Sequence, residues 1–578
     1  MADNRSGAAT FRELISGGLT VRAEVIIIAA FTLLLMLPFL ARPFHMDDAG
    51  FIELARARLE EPLQTVLHDY TFFGQENPEF LDTHPPLVPS YIAIVIKVAG
   101  ESETAGHAAF LIFPLIAAVS MYYLARRYTR YSLLAALLFI AAPGAMVMSQ
   151  GLMSDMPGVA FWLAAVTLYV YALDRNRLWM MALCGIAITL GVFTSYQVLS
   201  VIPLLFVYAL VRRRLTLLAI LPFVLPLSSF ASYAVWHYYV LGVLPRFSYG
   251  VGAPLAWYSI VQKGASVFAT VGGAIVFFVV LMRMLLRKSW DFVVYLAFIV
   301  PLWFAALFQF LTGSYSAGAA VMTILFIPLG ILFLYQVFVD GWQRLDNHVH
   351  GKQAGDILLL LWLAGVLFYL VVLLPYASVR YLLPAFAPLI LLFVRLVEDR
   401  IGDGKAVAGV LAAAVLMTAG LGFLVAGADY QLASANRSFA QSQGAGYGLT
   451  AAAEGHNVWF VGEFGFRYYM EQRGFRELPK DTVVPEGDLI IQSPLADPRP
   501  FSEVMERRVE LIETIGYSGL LPIRTTSFSS KAGFYGHFWG ILPWSVDFGN
   551  VEEYLVYKVI PEQPRLWEKT LKDYRPPS

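Results

Sequence analysis

Apolar residues run along this chain in long blocks, separated by short polar stretches. The first block, residues 25–40, contains no charged side chain. Comparable blocks follow at 105–124, 133–148, 157–173, 178–193, 198–211, 215–239, 266–286, 292–310, 317–339, 357–375, 381–393 and 406–425. Counted together they make about thirteen membrane spans at roughly 20 residues per crossing, some of them short. Two further stretches fit helices lying along a membrane surface. Residues 48–60 place Phe51, Leu54, Ala55 and Leu59 on one face and Glu53, Arg56, Arg58 and Glu60 elsewhere. Residues 86–98 are short for a span and carry Lys97 near their end.

The polar stretches fix a direction. Arg5, Arg12 and Arg22 precede the first block, which places the N-terminus in the cytoplasm. Alternate loops carry Arg126, Arg127 and Arg130, then Arg175 and Arg177, then Arg212, Arg213 and Arg214, then clusters at 283–288, 342–352 and 395–405. The intervening loops are poorer in Lys and Arg, so both signals give the same topology. An odd span count puts the C-terminus outside. After residue 427 no block is long enough to span. Residues 458–461, 488–491 and 553–559 read as strands and 467–473 as a helical turn, so a small α/β domain is expected there. The expected division is 1–427, a membrane catalytic domain, and 428–578, a soluble α/β domain on the outer face.

Composition agrees and excludes alternatives. The 578 residues are 58% hydrophobic and 14% charged, unlike a soluble globular chain. A net charge of −1 gives no polyanion-binding surface, so nucleic acid is not an expected partner. The single cysteine, Cys184, lies in an apolar block and allows no intrachain disulfide. Arg42-Pro43 after the first block, in place of small residues, is read as a retained span rather than a cleaved signal.

Candidate chemistry gathers in the loops assigned to the outer face. His45-Met46-Asp47-Asp48 follows the first span. One aspartate there suffices to cap the next helix, and the second is then available for other work. Asp82-Thr83-His84-Pro85-Pro86-Leu87 is at least a rigid turn. Met153-Ser154-Asp155-Met156-Pro157 by itself reads as a helix start, with Asp155 or Ser154 as cap and Pro157 in the first turn. Thr194-Ser195-Tyr196-Gln197 is a weak signal taken by itself. Arg380, flanked by Tyr376 and Tyr381, could be an interfacial anchor, yet an arginine at an outer membrane edge asks for an anion. Arg246 raises the same question and Lys263 does so more weakly. His348 and His350 fall in a polar loop on the cytoplasmic side and read as solvated.

The ordered set Asp47-Asp48, His84-Pro85-Pro86-Leu87, Met153-Ser154-Asp155 and Arg380-Tyr381-Leu382-Leu383-Pro384 resembles the GT-C glycosyltransferases. Within them it is similar to the bacterial branch of lipid A aminoarabinose transferases and protein O-mannosyltransferases. The resemblance implies a GT-C fold, with an acidic pair in the first outer loop and a C-terminal outer domain. It implies transfer of a sugar from a polyprenyl-phosphate donor to a lipid, glycan or protein acceptor at the outer, periplasmic face of a bacterial inner membrane. Asp47 matches the family's catalytic carboxylate and Asp155 a second acid of the site. Two positions depart: His84 stands where the aminoarabinose transferases have Lys, and Gln197 where many relatives have Lys.

These residue types suit the reaction. A carboxylate at the bilayer edge can act as base on the acceptor, which gives inversion when it works opposite the leaving group. Arginine suits a departing phosphate through paired charge-assisted hydrogen bonds. Asp47 is therefore expected as base, with Asp48 positioning it or serving as second acid. Arg380 and Arg246 are expected on the phosphate, helped by His84 and Lys263, while His45, Gln197, Tyr376 and Tyr381 line the pocket. No cofactor is required, although Asp47, Asp48 and Asp155 leave room for a divalent metal. The rival reading, a lipid or sugar flippase, needs ionisable residues or broken helices at mid-membrane, whereas the polar residues gather at one face.

Overall fold

The apolar blocks become helices, and the interruptions have local causes. The computed structural model describes residues 19–61, 71–72, 75–76, 84–242, 244–245, 256–275, 289–347 and 353–562. Thr20 opens the first helix, Val21–Met36, by accepting the N–H of Ala23 at 3.3 Å, and Pro38 sits in the 3-10 turn Leu37–Phe39 that ends it. Ile26 and Leu34 on this helix are each 67% exposed, a surface that suits lipid and not water.

Among the described residues, eight helices are long and apolar enough to cross a membrane, and five shorter apolar helices accompany them. The block 133–148 splits into Ser132–Ala141 and Pro143–Met148, because Pro143 holds Ala142 extended (ψ 129°) and offers no N–H. The block 381–393 is likewise divided at Pro384, into Val379–Leu382, Leu383–Ala385 and Phe386–Ile401. The helix Gly404–Phe439 outruns its apolar block. The second half of the block 266–286 lies outside the described residues, as do Arg246, Asp82, Thr83, His348 and His350.

Contacts divide the chain into two compact units: 1–41, 82–429 and 521–547 form one, and 42–81, 430–520 and 548–578 the other. This grouping differs from a single break at 427/428 in two places, each with a visible cause. Segment 42–61 is bonded into the second unit: the Phe44 N–H donates to Tyr469 Oη at 2.9 Å. Segment 521–547 is bonded into the first. Buried Asp429 accepts Thr525 Oγ1 and Tyr535 Oη, each at 3.0 Å, and Trp544 Nε1 donates to the Gly273 carbonyl at 2.7 Å.

The second unit is built on a five-stranded sheet in the order Arg476–Glu477, Val458–Val461, Leu489–Gln492, Glu552–Val559, Val509–Tyr517. The first three strands are parallel and the last two antiparallel to their neighbours. One face packs Val461, Leu478, Ile490, Met505 and Val559 into a core. Helix Phe464–Gln472 carries buried Arg467, which bonds Glu463 (3.0 Å), Glu471 (2.8 Å) and Glu477 (3.2 Å). The molecule is thus a multi-pass α-helical membrane protein with a C-terminal α/β region.

Candidate active site

Each unit contributes a cluster of the expected residues. In the second unit, helix Asp48–Glu60 starts where the sequence places it, with Asp47 at its N-cap position. The cap is not made in the ordinary way. Asp47 forms no side-chain capping bond, while Asp48, fully buried, accepts the His45 N–H through Oδ2 at 2.9 Å. Asp48 therefore closes the turn and Asp47, half-buried, is the more accessible carboxylate. Met46 between them adopts φ 47°, a left-handed conformation that costs a bulky residue on the order of 1 kcal/mol. The surroundings hold this turn from three sides. Tyr469 takes the Phe44 N–H, the Phe44 ring meets Tyr468 edge-on at 5.1 Å, and Gly465 lies so near that a Cβ would sit 2.3 Å from the Phe44 carbonyl oxygen.

The apolar face of helix Asp48–Glu60 is covered by protein. Phe51, Leu54 and Ala55 are buried as expected, but Leu59 is exposed and Arg58 is buried in its stead. Helix Phe464–Gln472 packs on it, and the Arg56 guanidinium lies 5.7 Å from the Tyr468 ring centre.

In the first unit the centre is Arg380. The spacings Tyr376, Arg380 and Tyr381 bring three side chains together across the start of helix Val379–Leu382, which Ser378 caps by accepting the Tyr381 N–H at 3.4 Å. Arg380 Nη2 donates to Tyr376 Oη at 2.6 Å, and the two tyrosine hydroxyls are 3.0 Å apart. The guanidinium lies over Tyr381 at 5.0 Å, and Nη1 reaches Met153 Sδ at 3.9 Å. Met153, of Met153-Ser154-Asp155, is thereby joined to the Arg380 motif. Asp155 begins helix Asp155–Arg175 and lies within electrostatic reach of Tyr381. Lys263 is buried and donates to the Leu374 carbonyl at 2.8 Å, two residues before Tyr376. His84 is half-buried, two residues before Pro86 at the N-cap of helix Leu87–Ala99.

Beside Tyr381 a cavity of about 560 Å³ opens among apolar side chains. Its wall includes Gln197, Tyr196, Trp162, Trp362 and Tyr369 together with Tyr381. The indoles of Trp162 and Trp362 stack at 6.0 Å. Gln197 stands in the wall that the Arg380 motif borders.

One participant escaped sequence reasoning. Segment 521–547 returns to Arg380's loop: the His537 N–H donates to the Ala377 carbonyl at 2.9 Å, and the Ala377 N–H to His537 Nδ1 at 3.1 Å. The Val379 N–H donates to the Phe534 carbonyl at 3.0 Å, and Phe538 meets Tyr376 edge-on at 5.6 Å. Because Nδ1 accepts, the neutral ring carries its proton on Nε2. Burial, with the Lys263 charge adding, holds His537 below the usual histidine range and so favours that neutral ring. No local pattern announces His537, since its partner is 160 residues away. Among the described residues, no three of His, Cys, Asp or Glu converge as a metal site would require.

Residues 83–239 match the family model described as dolichyl-phosphate-mannose-protein mannosyltransferase. The resemblance to GT-C glycosyltransferases, read from the ordered motifs, is thus met again over the stretch holding His84, Asp155 and Gln197. No curated protein matches the chain. Among solved structures, ArnT from Cupriavidus metallidurans bound to undecaprenyl phosphate aligns with TM-score 0.48 and 12% identity, over 82% of this chain and 94% of that one. The apo oligosaccharyltransferase of Archaeoglobus fulgidus aligns with TM-score 0.49 and 14% identity, over 79% and 64%. The oligosaccharyltransferase AglB of Archaeoglobus fulgidus, in complex with an inhibitory peptide and a dolichol-phosphate, gives 0.46 and 13%, over 82% and 69%.

Proposed function

We propose that this protein is a glycosyltransferase that moves a sugar from a polyprenyl-phosphate donor to a lipid, glycan or protein acceptor. The observation that carries the reading is the cavity of about 560 Å³, an apolar slot bordered at Tyr381 by the Arg380 cluster. An isoprenoid chain suits such a wall and a phosphate suits the arginine beside it. The family model over residues 83–239 supports the same donor chemistry.

In this reaction Asp47 takes the proton of an acceptor hydroxyl or amine. The acceptor atom bonds to the anomeric carbon as the carbon–oxygen bond to phosphate breaks, with inversion, and the polyprenyl phosphate leaves with the bonding pair. Arg380 stabilises the charge growing on that phosphate, with Lys263, His84 and Arg246 as further donors. Asp48 keeps the turn that presents Asp47. Tyr376 and Tyr381 aim Arg380, and Gln197 and His45 contact the substrates. The arginine-rich helix ends face the cytoplasm and the C-terminal region the periplasm, which a topology reporter fused after Ser578 checks.

The test is binding to protein in nanodiscs. A polyprenyl phosphate should bind at least tenfold more tightly than the matching polyprenol, and Arg380→Ala should erase the difference. Equal affinity for both lipids in the wild type removes the donor assignment.

A further inference from the structure

A second cavity, of about 850 Å³, lies at the far ends of the helices that frame the first one. Helix Val201–Val211 follows the 3-10 turn holding Gln197 at one end and supplies Tyr208 and Arg212 at the other. Helix Phe386–Ile401 follows Arg380's motif and supplies Arg395, Glu398 and Asp399 some four turns on. The wall is polar, and its cations are Arg126, Arg127, Arg130, Arg212, Arg344 and Arg395. Three carboxylates line it with them: Asp356, Glu398 and Asp399.

We propose that this cavity binds a phosphate-bearing anion, either an anionic phospholipid headgroup or a soluble phosphate compound, at the membrane face opposite the Arg380 cluster. Four of the arginines are already oriented by carboxylates. Asp174 bonds Arg127 and Arg212, Asp340 and Asp399 bond Arg344, and Asp356 bonds Arg395. A guanidinium has five N–H donors, and one or two contacts leave others for a ligand without the cost of ordering the side chain again. The other two arginines are held loosely. Arg126 touches the Tyr122 hydroxyl at 3.4 Å and lies 5.6 Å from that ring, while Arg130 stands 3.8 Å from Glu398 with its side chain 81% exposed.

Asp174, Asp340 and Glu24 stand behind the wall, Glu24 accepting the Tyr122 hydroxyl that Arg126 touches, and the guanidinium donors left over are chiefly those of this loose pair. A phosphodiester offers two equivalent oxygens that match paired guanidinium donors. The volume fits a headgroup and is far larger than one inorganic phosphate needs. Basic pockets between spans on the arginine-rich side are where anionic headgroups reside. The inference concerns residues that take no part in sugar transfer and stands apart from that reading.

The experiment uses the full chain in neutral detergent, stripped of lipid and titrated separately with phosphatidylglycerol, phosphatidylcholine and inorganic pyrophosphate. Native mass spectrometry and thermal unfolding give the readout, for wild type and for Arg126→Gln/Arg130→Gln. Phosphatidylglycerol should bind and raise Tm while phosphatidylcholine should not, and the double variant should weaken binding about tenfold or more. If pyrophosphate instead binds in a variant-sensitive way and phosphatidylglycerol does not, the phosphate chemistry stands and its source is soluble. Equal response to both lipids with no pyrophosphate binding, or a double variant that binds like wild type, overturns the proposal. Should the double variant misfold, Arg130→Gln alone, at an exposed side chain, gives the same discrimination.

Discussion

The two clusters that carry the proposed chemistry are held by different means. Around Asp47 the backbone does the holding: Phe44 and His45 donate their N–H groups to Tyr469 and Asp48, and Met46 is bent into a left-handed conformation. Around Arg380 side chains do it, through two tyrosine rings, a hydroxyl and a methionine sulfur. Backbone bonding fixes where a carboxylate stands. Aromatic caging fixes a cation's direction. The acid should therefore fail by losing position as well as chemistry, and the arginine chiefly by losing charge geometry.

The largest expected effect is at Asp47. Asp47→Asn should lower kcat by about 10²–10⁴-fold, the usual worth of a general base, with unchanged unfolding. Asp48→Asn should cost less, because an amide oxygen can still accept from His45. The opposite ranking of the two variants in a transfer assay would exchange their roles. Next comes Arg380→Ala, expected to cost about 1.5–3 kcal/mol in kcat/KM for the donor, with Arg380→Lys recovering part. Wild-type donor kinetics for the alanine variant would reduce Arg380 to an interfacial anchor.

Gly465→Ala tests the backbone grip itself. Its new Cβ would meet the Phe44 carbonyl oxygen at 2.3 Å, so the turn must shift, at about 1–3 kcal/mol of stability and with a fall in kcat beyond it. Tyr469→Phe, which strands the Phe44 N–H, should cost roughly 1–3 kcal/mol. A Gly465→Ala protein with full activity would show that the acid's placement does not depend on helix Phe464–Gln472. His537→Phe keeps an aromatic ring of similar size beside Phe538, which meets Tyr376, but leaves the Ala377 N–H unpaired. Donor KM should rise severalfold with kcat nearly constant, and an unchanged KM would detach segment 521–547 from the arginine's positioning.

The smallest effect is a pH slope. Burial pushes the Glu552 carboxyl up to about 8 from an ordinary 4.5, against opposing hydrogen bonds from the Glu553 and Leu495 backbone and Ser493. Between those values the folded state keeps a proton that the unfolded chain releases. Stability should therefore fall as pH rises from about 4.5 to about 8 and level off above. Glu552→Gln should flatten this decline in thermal unfolding curves taken across that range. A wild-type curve already flat there would place the carboxyl in the ordinary range.

What the sequence disclosed and what it concealed follows from range. Helix Asp48–Glu60 and strand Val458–Val461 match their expected limits because cap, periodicity and apolar content are local signals. Tyr376, Arg380 and Tyr381 converge because only five residues separate them, with Tyr376 in the bend that leads into helix Val379–Leu382. Strand Val509–Tyr517 went unread: it is an edge strand, largely exposed, with polar and apolar residues on both faces. His537, and the carbonyl that Lys263 bonds, were invisible because partners 160 and 111 residues apart leave no periodic trace. The arginine-rich loops read as topology markers, and only the folded chain shows them converging on one cavity.

The bond from Phe44 to Tyr469 spans 425 residues, and this has a bearing on biogenesis. The acidic turn leaves the ribosome early, but the helix that locks it is made only after every apolar block. At about 5–20 residues per second, the turn waits roughly 20–85 s for its partner. During that interval Met46 has no reason to hold its strained conformation. A membrane-inserted but truncated chain would thus carry its aspartates on a loose segment, so acid–base competence arrives last, when synthesis has passed Tyr469.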